Sequence, residues 1–150
     1  MKIIKDKQIV DNSWHYLEDD ATDTTGDITV PLARWEKDKA QLVGHAGKLG
    51  VRLFPGDTVD TLASDLDKLQ LIELDFPELA DGRLFSLAWL LRSRHGYQGE
   101  IRATGDYVPE QAFYLSRVGV NAFAPRKEAD LAAIQSCLGD FSVNYQVSIH

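Results

Sequence analysis

The sequence is poor in the residues that build disulfides and metal sites. It has one cysteine and four histidines among 150 residues. Cys137 cannot form a disulfide within the chain, and one thiol cannot hold a metal or a cluster alone. The histidines are scattered, at no spacing that would build a metal site with Cys137 or with a pair of carboxylates. We therefore expect no metal site.

Long apolar runs and an excess of basic residues are also missing. No segment approaches the roughly 20 apolar residues of a membrane span, and the N-terminus has no apolar run of signal-peptide length. The formal net charge is −7, whereas nucleic-acid binding usually needs a basic surface. With 44% hydrophobic and 26% charged residues, the composition is that of one globular domain. We expect a cytoplasmic protein that binds neither nucleic acid nor membranes.

The usual cofactor and nucleophile motifs do not occur. The sequence has no Walker loop, no G-x-G-x-x-G fingerprint and no nucleophile elbow. Gly44, Gly47 and Gly50 are spaced by three but follow a helical pattern, so we interpret them as a loop. The cofactor, if there is one, stays unknown from sequence.

What the sequence does contain is an alternation of short apolar runs and helical patterns from Ile28 onward. This alternation is typical of repeated β-α units around a mainly parallel sheet. About five such units are too few for a complete eight-stranded barrel. We predict an α/β domain with a mainly parallel open sheet, with a partial β/α barrel as the alternative. The predicted strands are Ile28–Val30, Val51–Phe54, Leu71–Asp75, Glu100–Ala103 and Ala122–Ala124.

Four helices are predicted from three- and four-residue repeats of apolar residues. Proline in the first turn indicates where a helix begins, and glycine after the last turn indicates where it ends. They are a helix after Thr58 through Leu69, one from about Gly82 to His95, one from Pro109 to Gly119, and one through Leu131, Ile134 and Leu138 that stops at Gly139.

The two ends of the chain are expected to lie outside this core of residues 28–139. Residues 1–27 are predicted to form a small β element, followed by a mobile acidic loop at Glu18–Asp27. In residues 140–150, Phe141–Ile149 alternates apolar and polar residues, as a final edge strand or an arm reaching another subunit would. The pattern therefore leaves a homo-oligomer open.

Polar residues gather at or just beyond the carboxyl ends of two predicted strands, the edge where parallel sheets and barrels bind ligands. An uncompensated arginine inside a strand is costly, and Asp75 is the expected partner of Arg102. Each residue also has a structural interpretation: Asp81 as a helix cap, Arg83 as a partner of Glu78 or Asp75, Asp106 as a turn. The candidate ligand-binding residues are Asp75, Asp81, Arg83, Arg102 and Asp106.

Several segments together resemble the bacterial domain-of-unknown-function family 934. The resemblance covers nearly all of residues 28–126 and is most specific in the DGR and GEIRATGD segments. Glu110 departs from it, because many relatives have aspartate there. The segments are LARW at Leu32–Trp35, LGVRL at Leu49–Leu53, FPELADGRLFSLAWLLR at Phe76–Arg92, GYQGEIRATGD at Gly96–Asp106 and YLSRVGVNAF at Tyr114–Phe123.

The resemblance implies a link to assimilatory sulfite reduction, because members are typically encoded beside sulfite reductase and often labelled as oxidoreductases. It carries over no established active site. Two hypotheses follow. The first is an accessory protein that docks on sulfite reductase or its electron donor, with an acidic surface and aromatic helices as its support. The aromatic residues, which could either pack inside or meet a partner, are Trp35, Trp89, Tyr97, Phe113 and Tyr114. The second is an oxidoreductase or other enzyme that holds a sulfur oxyanion with Arg83, Arg102 and Arg126 and moves protons with Asp75 or Asp106.

Overall fold

The fold is seen in a computed structural model, which describes residues 2–18, 26–77 and 82–148. Within these residues, eight strands form one sheet and four α-helices accompany it. The elements in chain order are β1 (Lys2–Lys5), β2 (Gln8–Asp11), β3 (Trp14–Tyr16), β4 (Asp27–Pro31), α1 (Leu32–Leu42), β5 (Leu49–Leu53), β6 (Leu71–Phe76), α2 (Gly82–Ser93), β7 (Glu100–Gly105), α3 (Pro109–Arg117), β8 (Ala122–Pro125) and α4 (Leu131–Ser148).

The strand order is β2-β1-β8-β7-β6-β5-β4-β3. Strands β3 to β8 run parallel in chain order, whereas β1 is antiparallel to both β8 and β2. Only Asn12 and Ser13 separate the two edge strands β2 and β3 in the chain. Three residue steps span at most about 11 Å, so the ends of the two edges that meet there must lie close together. The sheet is therefore strongly curled.

The prediction of a mainly parallel open sheet is wrong. The sheet is mixed, and it curls into a half-barrel with four helices in the described part of the chain. An open sheet with helices on both faces needs a reversal of strand order, and β3 to β8 have none. The second face is instead enclosed by the curl of the sheet, which brings Asn12 to Arg102.

The two faces of the sheet differ in chemistry. One face is apolar and packs with buried residues of the helices in a single core. Its rows run across the strands, since residues paired in neighbouring strands point to the same side. The rows are Val30, Val51, Ile72 and Ile101, then Ile4, Leu53, Leu74, Ala103 and Phe123. The other, concave face carries a row of charged residues, in which Glu73 and Arg102 are buried and Arg52 is partly exposed.

The five predicted core strands and the helices beginning at Gly82 and Pro109 are confirmed, with ends shifted by a few residues. The predicted N-terminal β element is present as the hairpin of β1 and β2, followed by β3. Most of the predicted mobile loop at Glu18–Asp27 lies outside the described residues. Among the residues described, no helix is both long and apolar enough to cross a membrane.

The predicted helix from Thr58 to Leu69 is wrong, since this segment contains two 3-10 turns, Asp60–Leu62 and Leu66–Lys68. Its apolar residues are still buried, so the repeat identified the inward positions. The helix breaks at Asp65, which is buried, has φ −110° and accepts a hydrogen bond from Trp35 Nε1 at 3.2 Å. The apolar residues that were spaced as in a helix are instead buried by two 3-10 turns, which the hydrogen bond between Trp35 and Asp65 holds in place.

The predicted end of the last helix at Gly139 is also wrong, because α4 continues to Ser148 and replaces the expected edge strand or arm at Phe141–Ile149. Gly96 and Gly119 have positive φ, of 63° and 112°, whereas Gly139 is not among the positive-φ glycines. A glycine ends a helix only where the chain adopts that left-handed conformation.

Gly119 offers a test of how tightly α2 and α3 are joined. Its φ is +112°, and an added Cβ would overlap Arg92 Cγ. Gly56 has a similar φ of +99° but open space around it. We expect Gly119→Ala to lower the free energy of unfolding by about 2–5 kcal/mol and Gly56→Ala by about 1–3 kcal/mol. Urea unfolding measures both, and equal costs would contradict the close contact with Arg92.

Asp65 makes the stability depend on pH. Burial alone would raise its pKa, but hydrogen bonds from Lys39, Lys68 and Trp35 outweigh burial and hold the pKa below the usual 3.8. The stabilisation is therefore complete above pH 3.8 and is lost as the pH falls through the lowered folded-state pKa. We expect Asp65→Asn to cost about 1–2 kcal/mol at neutral pH and less at about pH 3. A difference from wild type that stays constant in urea titrations at both pH values would refute this.

Candidate functional site

The concave face of the sheet contains a buried ionic network centred on Arg102 of β7. This side chain is 1% exposed. Its Nε donates to Glu100 Oε2 at 2.8 Å, and its Nη2 lies 2.6 Å from the same oxygen. Its Nη1 donates to Asn12 Oδ1 at 3.0 Å and lies 3.9 Å from Glu73 Oε2. The guanidinium is therefore held by two carboxylates and by the link between the edge strands.

The network continues towards the carboxyl ends of the strands through Arg52. Its Nε donates to Glu73 Oε1 at 3.0 Å, the oxygen that also accepts from Thr29 Oγ1 at 2.8 Å. Arg52 Nη1 lies 3.9 Å from Asp75 Oδ1, and its Cζ stands 3.9 Å from the centre of the Tyr16 ring. Arginine and carboxylate thus alternate across the concave face.

The expected pairing of Arg102 with Asp75 is wrong. Strand register places Arg102 beside Glu73 and Asp75 beside Thr104, whose Oγ1 donates to Asp75 at 3.1 Å. Glu100, two residues earlier on the same face, is the closest partner of the guanidinium. The sequence showed that Arg102 needed a carboxylate but not which one, because register was unknown.

Asp106 and Arg126 do come together, at the ends of β7 and β8. Arg126 Nε donates to Asp106 Oδ1 at 2.7 Å, and both side chains are largely exposed. Gly105 pairs with Pro125, so this ion pair lies beyond the strand ends, whereas Arg102 pairs with Ala122 three residues earlier, or about 10 Å along the sheet. Arg102 also turns away, towards Glu100. The two arginines therefore do not converge on one pocket.

The remaining predicted residues lie at or before the start of α2. Arg83 is exposed in the first turn of this helix. Asp81 lies outside the described residues, so its expected capping role is not seen. Within the described ranges, no three histidine, cysteine or acidic side chains gather as a metal site requires.

Sequence reasoning missed a cleft of about 620 Å³ at the carboxyl ends of β3, β4 and β5. Tyr16 and Phe54 form an edge-to-face pair with ring centres 6.4 Å apart. Asp57 Oδ2 accepts from the Phe54 amide at 2.8 Å, which fixes the turn after β5. The position of Phe54 and Asp57 after a predicted strand was the available signal. The cleft is lined by Tyr16, Glu18, Pro31, Leu32, Ala33, Phe54 and Asp57.

A second feature is the outward surface of α2 and α3, called here the α2–α3 face. Its aromatic side chains are Trp89, 55% exposed, and Tyr114, 60% exposed. Its exposed arginines are Arg83, Arg94 and Arg117. Glu110 is the one acidic residue in the stretches 82–95 and 108–119. This surface is basic and aromatic in a protein whose net charge is −7.

Arg92 joins the two loops that follow the helices of this face. Its guanidinium donates to the carbonyls of Tyr97 and Gly99 at 2.7 Å and of Gly119 at 2.9–3.0 Å. The side chain is half-buried, and burial lowers its pKa from the ordinary arginine value. A guanidinium used by three carbonyls is structural, so Arg92 fixes the spacing between the ends of α2 and α3.

The chain belongs to the DUF934 family, described as bacterial proteins of unknown function, whose profile matches residues 50–150. The match begins in β5, whereas the resemblance begins near residue 28. The match continues to residue 150, whereas the resemblance ends near residue 126. No match was found among curated proteins.

The buried network makes a prediction about Arg102. Arg102→Met leaves Glu100 as a buried carboxylate without its guanidinium, so we expect a loss of about 3–5 kcal/mol in the free energy of unfolding. Adding Glu100→Gln removes that charge and should recover at least about 1 kcal/mol. Arg126→Met, which breaks an exposed pair, should cost at most about 1 kcal/mol. Chemical denaturation measures all three, and similar losses for Arg102 and Arg126 would contradict a structural role for the buried pair.

Proposed function

We propose that this protein is an accessory protein of assimilatory sulfite reduction, which acts in the cytoplasm by docking on sulfite reductase or on its electron donor. The link to sulfite reduction rests on the resemblance to the family. The docking part rests on one observation, the basic and aromatic α2–α3 face of an otherwise acidic protein.

The composition of the α2–α3 face supports docking on a protein. Tryptophan, tyrosine and arginine are the residues that most often contribute large binding energies at protein interfaces. Trp89 and Tyr114 are both more than half exposed. Arg83, Arg94 and Arg117 are also exposed on or next to these helices. Because Glu110 is the one acidic residue in the stretches 82–95 and 108–119, the surface suits a partner that presents carboxylates.

The ion pairs of the predicted arginine crevice favour docking over the oxidoreductase alternative. Arg102 is held by Glu100 and Glu73, and Arg126 by Asp106 at 2.7 Å. A sulfur oxyanion at either guanidinium would have to displace a carboxylate or approach its negative charge. These arginines are better explained by the fold and the strand ends than by anion binding.

The proposal is tested by co-purification from cells grown on sulfate, with the full chain carrying an affinity tag. We expect sulfite reductase or its electron donor in the wild-type eluate. Trp89→Ala combined with Tyr114→Ala should reduce recovery at least about tenfold, since such aromatic anchors contribute 2 kcal/mol or more when truncated. Recovery should also fall as salt is raised, because exposed charges are screened.

A matched control is Val43→Ala, which truncates another exposed apolar residue, at the end of α1 and away from the α2–α3 face. It should leave recovery unchanged. Wild-type protein that recovers neither the reductase nor its donor would overturn the proposal. If the double variant recovers as much of the partner as the wild type does, the docking site does not lie on the α2–α3 face.

A further inference from the structure

We propose that the cleft at the carboxyl ends of β3, β4 and β5 binds a small organic cation, an ammonium group on an apolar frame about the size of a benzene ring. The proposal concerns a different part of the molecule from the α2–α3 face and does not depend on the proposed function.

The position and size of the cleft are those of a ligand site. It opens where three parallel strands end, the edge at which α/β folds place their sites. Its volume of about 620 Å³ is within the range of small-molecule pockets. The ends of three sheet strands and the first turn of α1 form most of its walls, and Glu18 and Asp57 lie in the segments that follow β3 and β5.

The walls of the cleft are apolar and aromatic. Pro31, Leu32 and Ala33 form the side that continues from β4 into α1. Tyr16 and Phe54 form another, in edge-to-face contact. Such walls favour a ligand with an apolar or aromatic body.

The charges of the residues at the cleft indicate the charge of the ligand. Among the lining residues, the two full charges are the carboxylates of Glu18 and Asp57. The first turn of α1 contributes about half a positive charge, which two carboxylates outweigh. Arg52 lies nearby, but its charge is balanced by Glu73 at 3.0 Å. A cationic ligand is therefore favoured over an anionic one.

The protein itself shows that the aromatic wall attracts cations. Arg52 places its guanidinium carbon 3.9 Å from the centre of the Tyr16 ring. This is the geometry of a cation–π interaction. An ammonium group entering from the cleft would meet Tyr16, the ring that Arg52 contacts, and its partner Phe54, with Glu18 and Asp57 to neutralise it.

The test uses three probes of one shape: benzylamine, benzyl alcohol and benzoate. Each is titrated into the isotope-labelled full chain while amide chemical shifts are recorded. We expect benzylamine to bind saturably in the millimolar range, with shifts centred on Tyr16, Ala33, Phe54 and Asp57. Benzyl alcohol should bind more weakly, and benzoate at least about tenfold more weakly than benzylamine.

Two variants separate charge from folding. Asp57→Asn keeps an acceptor for the Phe54 amide, and Glu18→Gln changes an exposed side chain. Each should weaken benzylamine binding about two- to fivefold. Asp60→Asn is the control, because its carboxyl is 79% exposed and does not line the cleft. Benzoate binding as tightly as benzylamine, no saturable shifts at the cleft, or equal weakening by Asp60→Asn would each overturn the proposal.

Discussion

The hydrogen bond from Arg102 Nη1 to Asn12 Oδ1 joins the middle of the sheet to the two-residue link between its edges. The same Asn12 oxygen accepts from the Trp14 amide, so it also sets the turn into β3. Because β2 and β3 are opposite edges of an eight-stranded sheet, this link fixes how far the sheet must curl. The curl in turn buries the concave face and requires its charges to be paired.

The charged interior explains several residues that looked functional in the sequence. Polar groups inside a protein must find partners, and the concave face supplies them by alternating Arg102, Glu73, Arg52 and Asp75 across three neighbouring strands. The cost of removing these charges from water offsets much of their mutual attraction, so the network need not add net stability. The polar and aromatic groups that the core does not use lie elsewhere, in the cleft and on the α2–α3 face.

Periodicity and turn residues in the sequence were sufficient for the five core strands, the N-terminal β element and the starts of α2 and α3. They failed where tertiary contacts decide the backbone, as at Asp65, whose bond to Trp35 breaks the expected helix, and at Gly139, which stays helical. Register and curl depend on contacts distant in sequence, so the partner of Arg102 and the cleft at Tyr16 and Phe54 could not be read from local patterns.

The pairing of Lys5 with Ala122 has a consequence for the order of folding. Strands β3 to β8 can be added one after another as the chain is synthesised, each beside the one before it. β1 and β2 precede all of them, yet their place in the sheet exists only once β8 has formed. The two strands therefore find their place only after the chain through β8 has been made, and a pairing between strands distant in sequence completes the sheet.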